Sequence, residues 1–295
     1  MDDQPQTGPE SVPGEQPAGD AALPVPAPES FLRTDPRPVA GPRPDPWAHR
    51  RAEPRPFALM WTGYLLLSTV ACLGPITAAM FLTPEVYRPA AALLLVVTAL
   101  GITIFWPMVR LSQETPAGRP SSAVALDMIA VFFPLQATIW PQIIPALSDW
   151  DAPIALAVSF HCTAWLALTG AVLTAALGHV ARLEAHGERA PTARTLWTVV
   201  FLALSLGASL LTLLLSRPTL HGSVPSGSTL WAAAPGIFEI TRDRAWLGRA
   251  AAVQPEHWRF ALGVLLVAAG LWALVLFFEK VARQDRAANP ASPVR

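Results

Sequence analysis

Six long apolar blocks, separated by polar segments, restrict the fold of this chain more than any other feature of its sequence. Each block matches or exceeds the roughly 20 residues that a helix needs to cross a hydrocarbon core about 30 Å thick. The chain is 52% hydrophobic and 14% charged, whereas roughly a quarter of the residues in a soluble domain are charged. The sequence therefore predicts an all-α, polytopic integral membrane protein with six transmembrane helices. The predicted spans are residues 57–82, 89–109, 123–147, 153–177, 196–215 and 258–278.

Residues 1–56 have the opposite character. They include fourteen prolines and little apolar periodicity, so they cannot bury enough surface to offset the entropy lost on ordering. Residues 1–30 hold six acidic and no basic residues, and residues 31–56 hold six arginines against three acidic residues. We expect a disordered, proline-rich cytoplasmic tail, acidic at first and arginine-rich next to the membrane. Residues 279–295 are expected to form a basic cytoplasmic tail.

The positions of arginine and lysine predict the orientation of the bundle. With the N-terminus inside, the cytoplasmic segments hold fifteen basic residues and the two short outer loops hold only Arg88. The other five lie in or beside the long outer loop, residues 216–257, which translocates with less regard to charge. Residues 243–253 of that loop are predicted to form a short helix. Both termini are therefore expected in the cytoplasm, and the lack of a basic and then apolar leader favours a bacterial inner membrane.

Polar side chains inside the spans are the candidates for function. The third span also contains three prolines, at 134, 141 and 145, and prolines free backbone carbonyls that lipid cannot satisfy. We expect this face to meet other helices or water. The candidate intramembrane polar site consists of Asp127, Gln136, Thr138, Gln142 and His161.

Asp127 supports two interpretations. In the first, it lines a path for protons or cations together with Gln136 and Thr138, since charged residues within spans often serve such roles. In the second, it is a carboxylate at headgroup level beside Arg110 or Arg119. It lies only four residues from the inner end of its span, about 6 Å along a helix. This shallow position favours the second interpretation.

His161 and Gln136 are expected at similar depths, which predicts a hydrogen bond between them across the hairpin. A proton relay or a haem ligand would be functional roles for the histidine. A haem held by two histidines needs a second one at matching depth, and the sequence places none there. A packing histidine is favoured, and no cofactor or metal site is predicted. Cys72 and Cys162 also lie at similar depths, and two separate buried thiols are favoured over a disulfide.

No catalytic motif emerges from the sequence. It contains no P-loop, no HExxH and no GxSxG pattern, so no catalytic residue is predicted. The leading hypothesis is a non-enzymatic accessory or assembly subunit of a membrane complex. The alternatives are a small-molecule or proton-coupled transporter that uses the proline-broken third span, and a redox membrane subunit. The expected partners are the lipid bilayer and other membrane subunits, and a net charge of zero gives no reason to expect nucleic acid.

Overall fold

The computed structural model describes residues 54–78, 83–116, 118–186, 190–215, 232–242 and 251–288. Most of the residues in these ranges are helical, and none of them is in a strand. The predicted disordered tail, apart from its last three residues, lies outside the described residues. So does the end of the predicted C-terminal tail, residues 289–295.

Seven helices make up the described part of the chain. They are α1 (Pro54–Ala78), α2 (Pro84–Ser112), α3 (Pro120–Ile143), α4 (Ala152–Ala185), α5 (Ala190–Leu215), α6 (Ala233–Thr241) and α7 (Pro255–Ala288). Five of them, α1, α2, α3, α4 and α7, are long and apolar enough to cross a membrane. The described residues thus contain helices and no strand, and five long apolar helices indicate a multi-pass membrane protein, while the predicted count of six spans stays a prediction.

The ends of the helices differ from the predicted spans. Helix α2 begins at Pro84 rather than residue 89, because a proline fits the first turn, where no intrahelical N–H bond is needed. The segment predicted as an outer loop, residues 83–88, is therefore mostly helical. Helices α4 and α7 continue to Ala185 and Ala288, beyond the predicted ends at 177 and 278. Hydropathy marks the apolar stretch of a helix, whereas the helix itself continues into the polar layer.

Helix α2 changes its winding near its middle. Residues Gly101–Phe105 form a π-helical turn, in which the Trp106 N–H donates to the Gly101 carbonyl. At Gly101 the ring of Tyr64 from α1 packs so closely that an added Cβ would lie 2.5 Å from it. The Tyr64 ring stacks on Phe105 with centroids 4.7 Å apart, and its hydroxyl donates to the Val97 carbonyl at 2.7 Å. The missing side chain at residue 101 thus lets α1 and α2 pack in close contact.

Helix α4 lies at the centre of the bundle. In its most apolar stretch 67% of the residues are buried, against 17% in α7. It packs against α3, α5, α6 and α7. The Trp272 indole of α7 donates to the Ala167 carbonyl at 3.0 Å, and Met128 of α3 lies against Gly170.

The long loop predicted at residues 216–257 contains a buried helix that the sequence analysis missed. Helix α6 packs on α2 and α4, and its Ala233, Ile237 and Ile240 are buried. At nine residues it is too short to have been distinguished from a loop by hydropathy. Of the helix predicted at 243–253, residues 243–250 lie outside the described part, and residues 251–254 are not helical.

The close contact at Gly101 generates a stability prediction. Gly101→Ala should destabilise the protein by about 1–3 kcal/mol, because the new methyl group must displace the Tyr64 ring from a packed interior. Gly63→Ala on α1 is the matched control, since an added Cβ there meets nothing within 4 Å. Thermal unfolding in detergent should show a lower midpoint for Gly101→Ala and an unchanged midpoint for Gly63→Ala. Equal midpoints would contradict the packing described here.

Candidate functional site

Asp127 of α3 is buried against α2, with only 1% of its surface exposed. Its two carboxylate oxygens accept hydrogen bonds from Nε and Nη2 of Arg110, which makes a two-pronged ion pair. The Trp106 indole N–H lies 3.4 Å from Oδ2. The carboxylate therefore has a cation and a neutral donor as partners within the bundle. This is the pairing that the second interpretation of Asp127 requires.

The arginine of this pair has further partners. Its guanidinium carbon lies 4.9 Å from the centre of the Phe57 ring of α1, within the range of a cation–π contact. Its Nη1 donates to Oε1 of Gln113 at 2.7 Å. A small pocket lies beside the pair, lined by Arg110, Gln113, Glu114, Pro116, Ala123, Asp127 and Leu177. It has room for about one water molecule, so the ion pair fills most of its own site.

A second polar network joins α4 and α5 to the end of α2. Arg194 of α5 donates to the carbonyls of Leu111 and Gln113, at 2.9 and 2.5 Å, and to Glu184 of α4 at 2.7 Å. Thr115 donates to the other oxygen of Glu184 at 2.5 Å. Carbonyls at the end of a helix lack intrahelical donors, so the Arg194 side chain supplies one. In the sequence, this arginine contributes only to the predicted orientation of the bundle.

The N-terminus of α3 obtains its partner from α7. Oε1 of Glu279 accepts from the Ser121 N–H at 3.1 Å, and Oε2 accepts from the Ser121 hydroxyl at 2.6 Å. A carboxylate is favoured at this end of a helix by the helix dipole and the free N–H groups. The contact joins residues 158 positions apart. Glu279 was predicted to belong to a tail beyond the last span, and it instead caps α3 from within α7.

Thr138 and Gln142 lie at the end of α3, next to the turn that leads to α4. The Thr138 hydroxyl donates to the Pro134 carbonyl at 2.9 Å, and Nε2 of Gln142 donates to the Thr138 carbonyl at 3.2 Å. The Ser148 hydroxyl donates to Oε1 of Gln142 at 2.8 Å. Arg88 of α2 completes the turn by donating to the Ser148 carbonyl at 2.6 Å. These two candidate residues therefore hold the backbone that the prolines interrupt.

Gln136 lies between α3 and α4. Its Oε1 accepts from the Ser159 hydroxyl at 2.7 Å and from the Trp140 indole at 3.0 Å. Its Nε2 is buried without a protein hydrogen-bond partner. The predicted hydrogen bond between Gln136 and His161 is thus wrong. Equal depth along two helices does not fix the direction in which each side chain points around its helix.

His161 points toward α6 rather than α3. Its Nε2 lies 3.3 Å from the Ala233 carbonyl, at the start of that helix. The ring is almost completely buried, and a neutral imidazole can donate to a carbonyl from this nitrogen. The sequence could not supply this partner, because α6 was read as part of a loop. His161 of α4 therefore contacts the first residue of α6.

The five candidate residues do not form one site. Asp127 lies near the N-terminus of α3, Thr138 and Gln142 lie at its other end, and His161 faces away from them. Within the described ranges, no group of three His, Cys, Asp or Glu residues is arranged to hold a metal ion. Cys72 and Cys162 are both free thiols.

Comparisons with models of protein families, with curated proteins and with solved structures found no match to this chain.

The buried ion pair generates a second stability prediction. Asp127→Ala should cost about 3 kcal/mol, because it leaves the Arg110 charge buried without its partner. The double variant Asp127→Leu with Arg110→Met should recover most of that loss, since neither charge remains. Asp149→Asn is the control: Asp149 is half-exposed and 3.9 Å from Arg88, so its loss should cost under about 1 kcal/mol. Unfolding titrations in mixed micelles measure all three, and a double variant no more stable than Asp127→Ala would refute the account.

Proposed function

We propose that this protein is a non-enzymatic accessory or assembly subunit of a membrane complex. One observation carries the proposal: the polar side chains of the candidate site are used by neighbouring helices and turns of the chain itself. Asp127 is neutralised by Arg110, and Gln142 closes the turn between α3 and α4. Side chains bound in this way stabilise a bundle, whereas a transport path needs groups that are available to a moving solute.

The outward surface of the bundle supports the same proposal. Helices α1, α3 and α7 have only 22%, 28% and 17% of their most apolar stretches buried. Large apolar side chains cover the exposed faces, among them Leu266, Phe277 and Phe278 of α7. Such faces suit lipid, and they also suit another transmembrane helix, because helix association within a bilayer depends on close packing.

Site-specific cross-linking tests this proposal. A photoreactive phenylalanine analogue at Phe277, which is exposed on α7, should yield one defined adduct with another membrane protein in native membranes. The same analogue at Phe201, which is fully buried, should yield only adducts within the chain. Purification in mild detergent should then recover the partner at a fixed ratio. Lipid adducts alone, together with a stable monomer in detergent, would refute the proposal.

We also propose that α5 crosses the membrane as well, which brings the number of spans to six, and that both termini lie in the cytoplasm. Helices α4 and α7 run in the same direction, since Phe160 packs on Trp258 while Trp272, further along α7, bonds to Ala167, further along α4. Two parallel spans require the chain between them to cross back. Helix α5 runs antiparallel to α4, with Arg194 beside Glu184 and Trp197 beside His179. Its 26 residues are enough for that crossing.

Reporter fusions test the topology in a bacterial inner membrane, the location proposed here. A fusion partner active only in the cytoplasm should be active at both chain ends and in the turn between α4 and α5. A fusion partner that is active only outside the cytoplasm should be active when it is inserted after α5, within residues 216–231. Chain ends in opposite compartments would refute the six-span proposal, because an even number of crossings returns the chain to its starting side.

The transporter and redox alternatives stay hypotheses with less support. The described positions of Asp127, Gln136 and His161 do not join into one path across the bundle. Nε2 of His161 already faces the Ala233 carbonyl, so this nitrogen has a partner within the chain.

A further inference from the structure

Three exposed basic side chains lie at the end of the bundle where α3 begins and where α7 continues beyond its apolar stretch. Arg119 directly precedes α3, and Lys280 and Arg283 lie on α7. Among the residues that the structure describes, none of the three takes part in an ion pair, whereas Arg110 and Arg194 each have a carboxylate partner. The three cations are thus available to an anion that is not part of the chain.

The contact between Ser121 and Glu279 brings these cations to one edge of the bundle. The Glu279 carboxylate accepts two hydrogen bonds from Ser121, at 3.1 and 2.6 Å, so the first turn of α3 lies against α7 at this level. Arg119 comes shortly before Ser121 in the chain. Lys280 directly follows Glu279, and Arg283 lies one helical turn further, about 6 Å along α7. Around the helix axis, Lys280 and Arg283 lie about 100° and 40° from Glu279 in the same sense, so both occupy one side of the contact.

The Arg283 side chain is already held near this contact. Its Nε donates to the Glu279 carbonyl at 3.1 Å, which folds the guanidinium back along α7 toward the level of Glu279. A guanidinium has several N–H donors, and this bond uses only one of them. The donors on the two Nη atoms stay free, and their planar arrangement matches the oxygens of a phosphate. Arg283 is therefore positioned to bind a phosphate group without giving up its own bond to the helix.

Exposed apolar surface continues from these cations along both helices. Phe278, the residue before Glu279, is 58% exposed, and Leu126 in the second turn of α3 is 52% exposed. In their most apolar stretches, only 28% of the residues of α3 and 17% of those of α7 are buried. The cations therefore lie where exposed apolar faces meet the polar end of the bundle, which is the level of lipid headgroups. A soluble anion would use only the charges of this edge, whereas a lipid would also cover the apolar faces.

We propose that Arg119, Lys280 and Arg283 bind the phosphate of an anionic lipid headgroup, with the acyl chains on the exposed faces of α3 and α7. The Glu279 carboxylate lies beside them, but its oxygens accept from Ser121, and three cations outweigh its single charge. Basic residues at the ends of transmembrane helices attract anionic headgroups. In the proposed topology this lipid belongs to the cytoplasmic leaflet. The inference does not depend on the proposed accessory role.

Lipid binding by the full-length protein in detergent tests the proposal. Native mass spectrometry should show that the protein retains phosphatidylglycerol, which is anionic, more strongly than phosphatidylcholine. Arg119→Gln and Arg283→Gln should each raise the Kd of the first bound phosphatidylglycerol about fivefold, the contribution of one basic residue near anionic headgroups. Arg259→Gln is the matched control, because Arg259 is an exposed arginine at the other end of α7, and this Kd should not change. Equal effects of Arg259→Gln and Arg283→Gln, or equal retention of the two lipids, would overturn the proposal.

Thermal unfolding of the unmodified protein gives a test that does not depend on any variant, and it separates a lipid from a soluble anion. Phosphatidylglycerol added to detergent micelles should raise the unfolding midpoint more than phosphatidylcholine does, because a ligand of the folded state stabilises it. Inorganic phosphate at the same concentration should leave the midpoint unchanged. A rise with phosphate as large as the rise with phosphatidylglycerol would assign the cations to a soluble anion and overturn the proposal. Equal midpoints in the two lipids would also overturn it.

Discussion

The structure depends on one constraint: hydrocarbon offers no hydrogen bonds, so every polar group at membrane depth must find a partner within the protein or in trapped water. The constraint explains why several of the polar contacts lie where helices begin, end or break. Arg110 and Asp127 pair near the end of α2 and the start of α3, and Gln142 and Ser148 support the backbone where α3 gives way to a turn. Between these points, single polar contacts join the helices, such as the bond from the Trp272 indole to the Ala167 carbonyl.

The sequence was sufficient for the class of fold, because apolar length is a direct measure of what can cross a bilayer. The sequence did not predict the features that are independent of the length of an apolar stretch. Helix α6, with nine residues, is held by burial against α2 and α4, and neither helix is adjacent to it in the sequence. The π-helical turn at Gly101 depends on the Tyr64 ring of a different helix. Both features arise from contacts between segments, which hydropathy along one segment does not record.

The contacts of the candidate residues could be predicted from the sequence only in part. The depth of Asp127 could be counted from the end of its span, so the sequence could place this carboxylate near Arg110. Rotation about the helix axis could not be counted, and for this reason His161 was assigned to Gln136 although it faces Ala233. Arg194 was used only to predict orientation, and Glu279 was placed in the predicted C-terminal tail. The contacts of both residues depend on helices that continue beyond their apolar stretches.

The bond between Glu279 and Ser121 has a consequence for biogenesis. The ribosome makes the third helix long before the seventh, and 158 residues separate the two partners. The start of α3 must therefore enter the bilayer with its amide and hydroxyl donors bound to water or to lipid headgroups. Only when α7 leaves the insertion machinery does this carboxylate replace them. This contact thus waits until α7 has been made, and a chain shortened before α7 would lack the carboxylate that caps the start of α3.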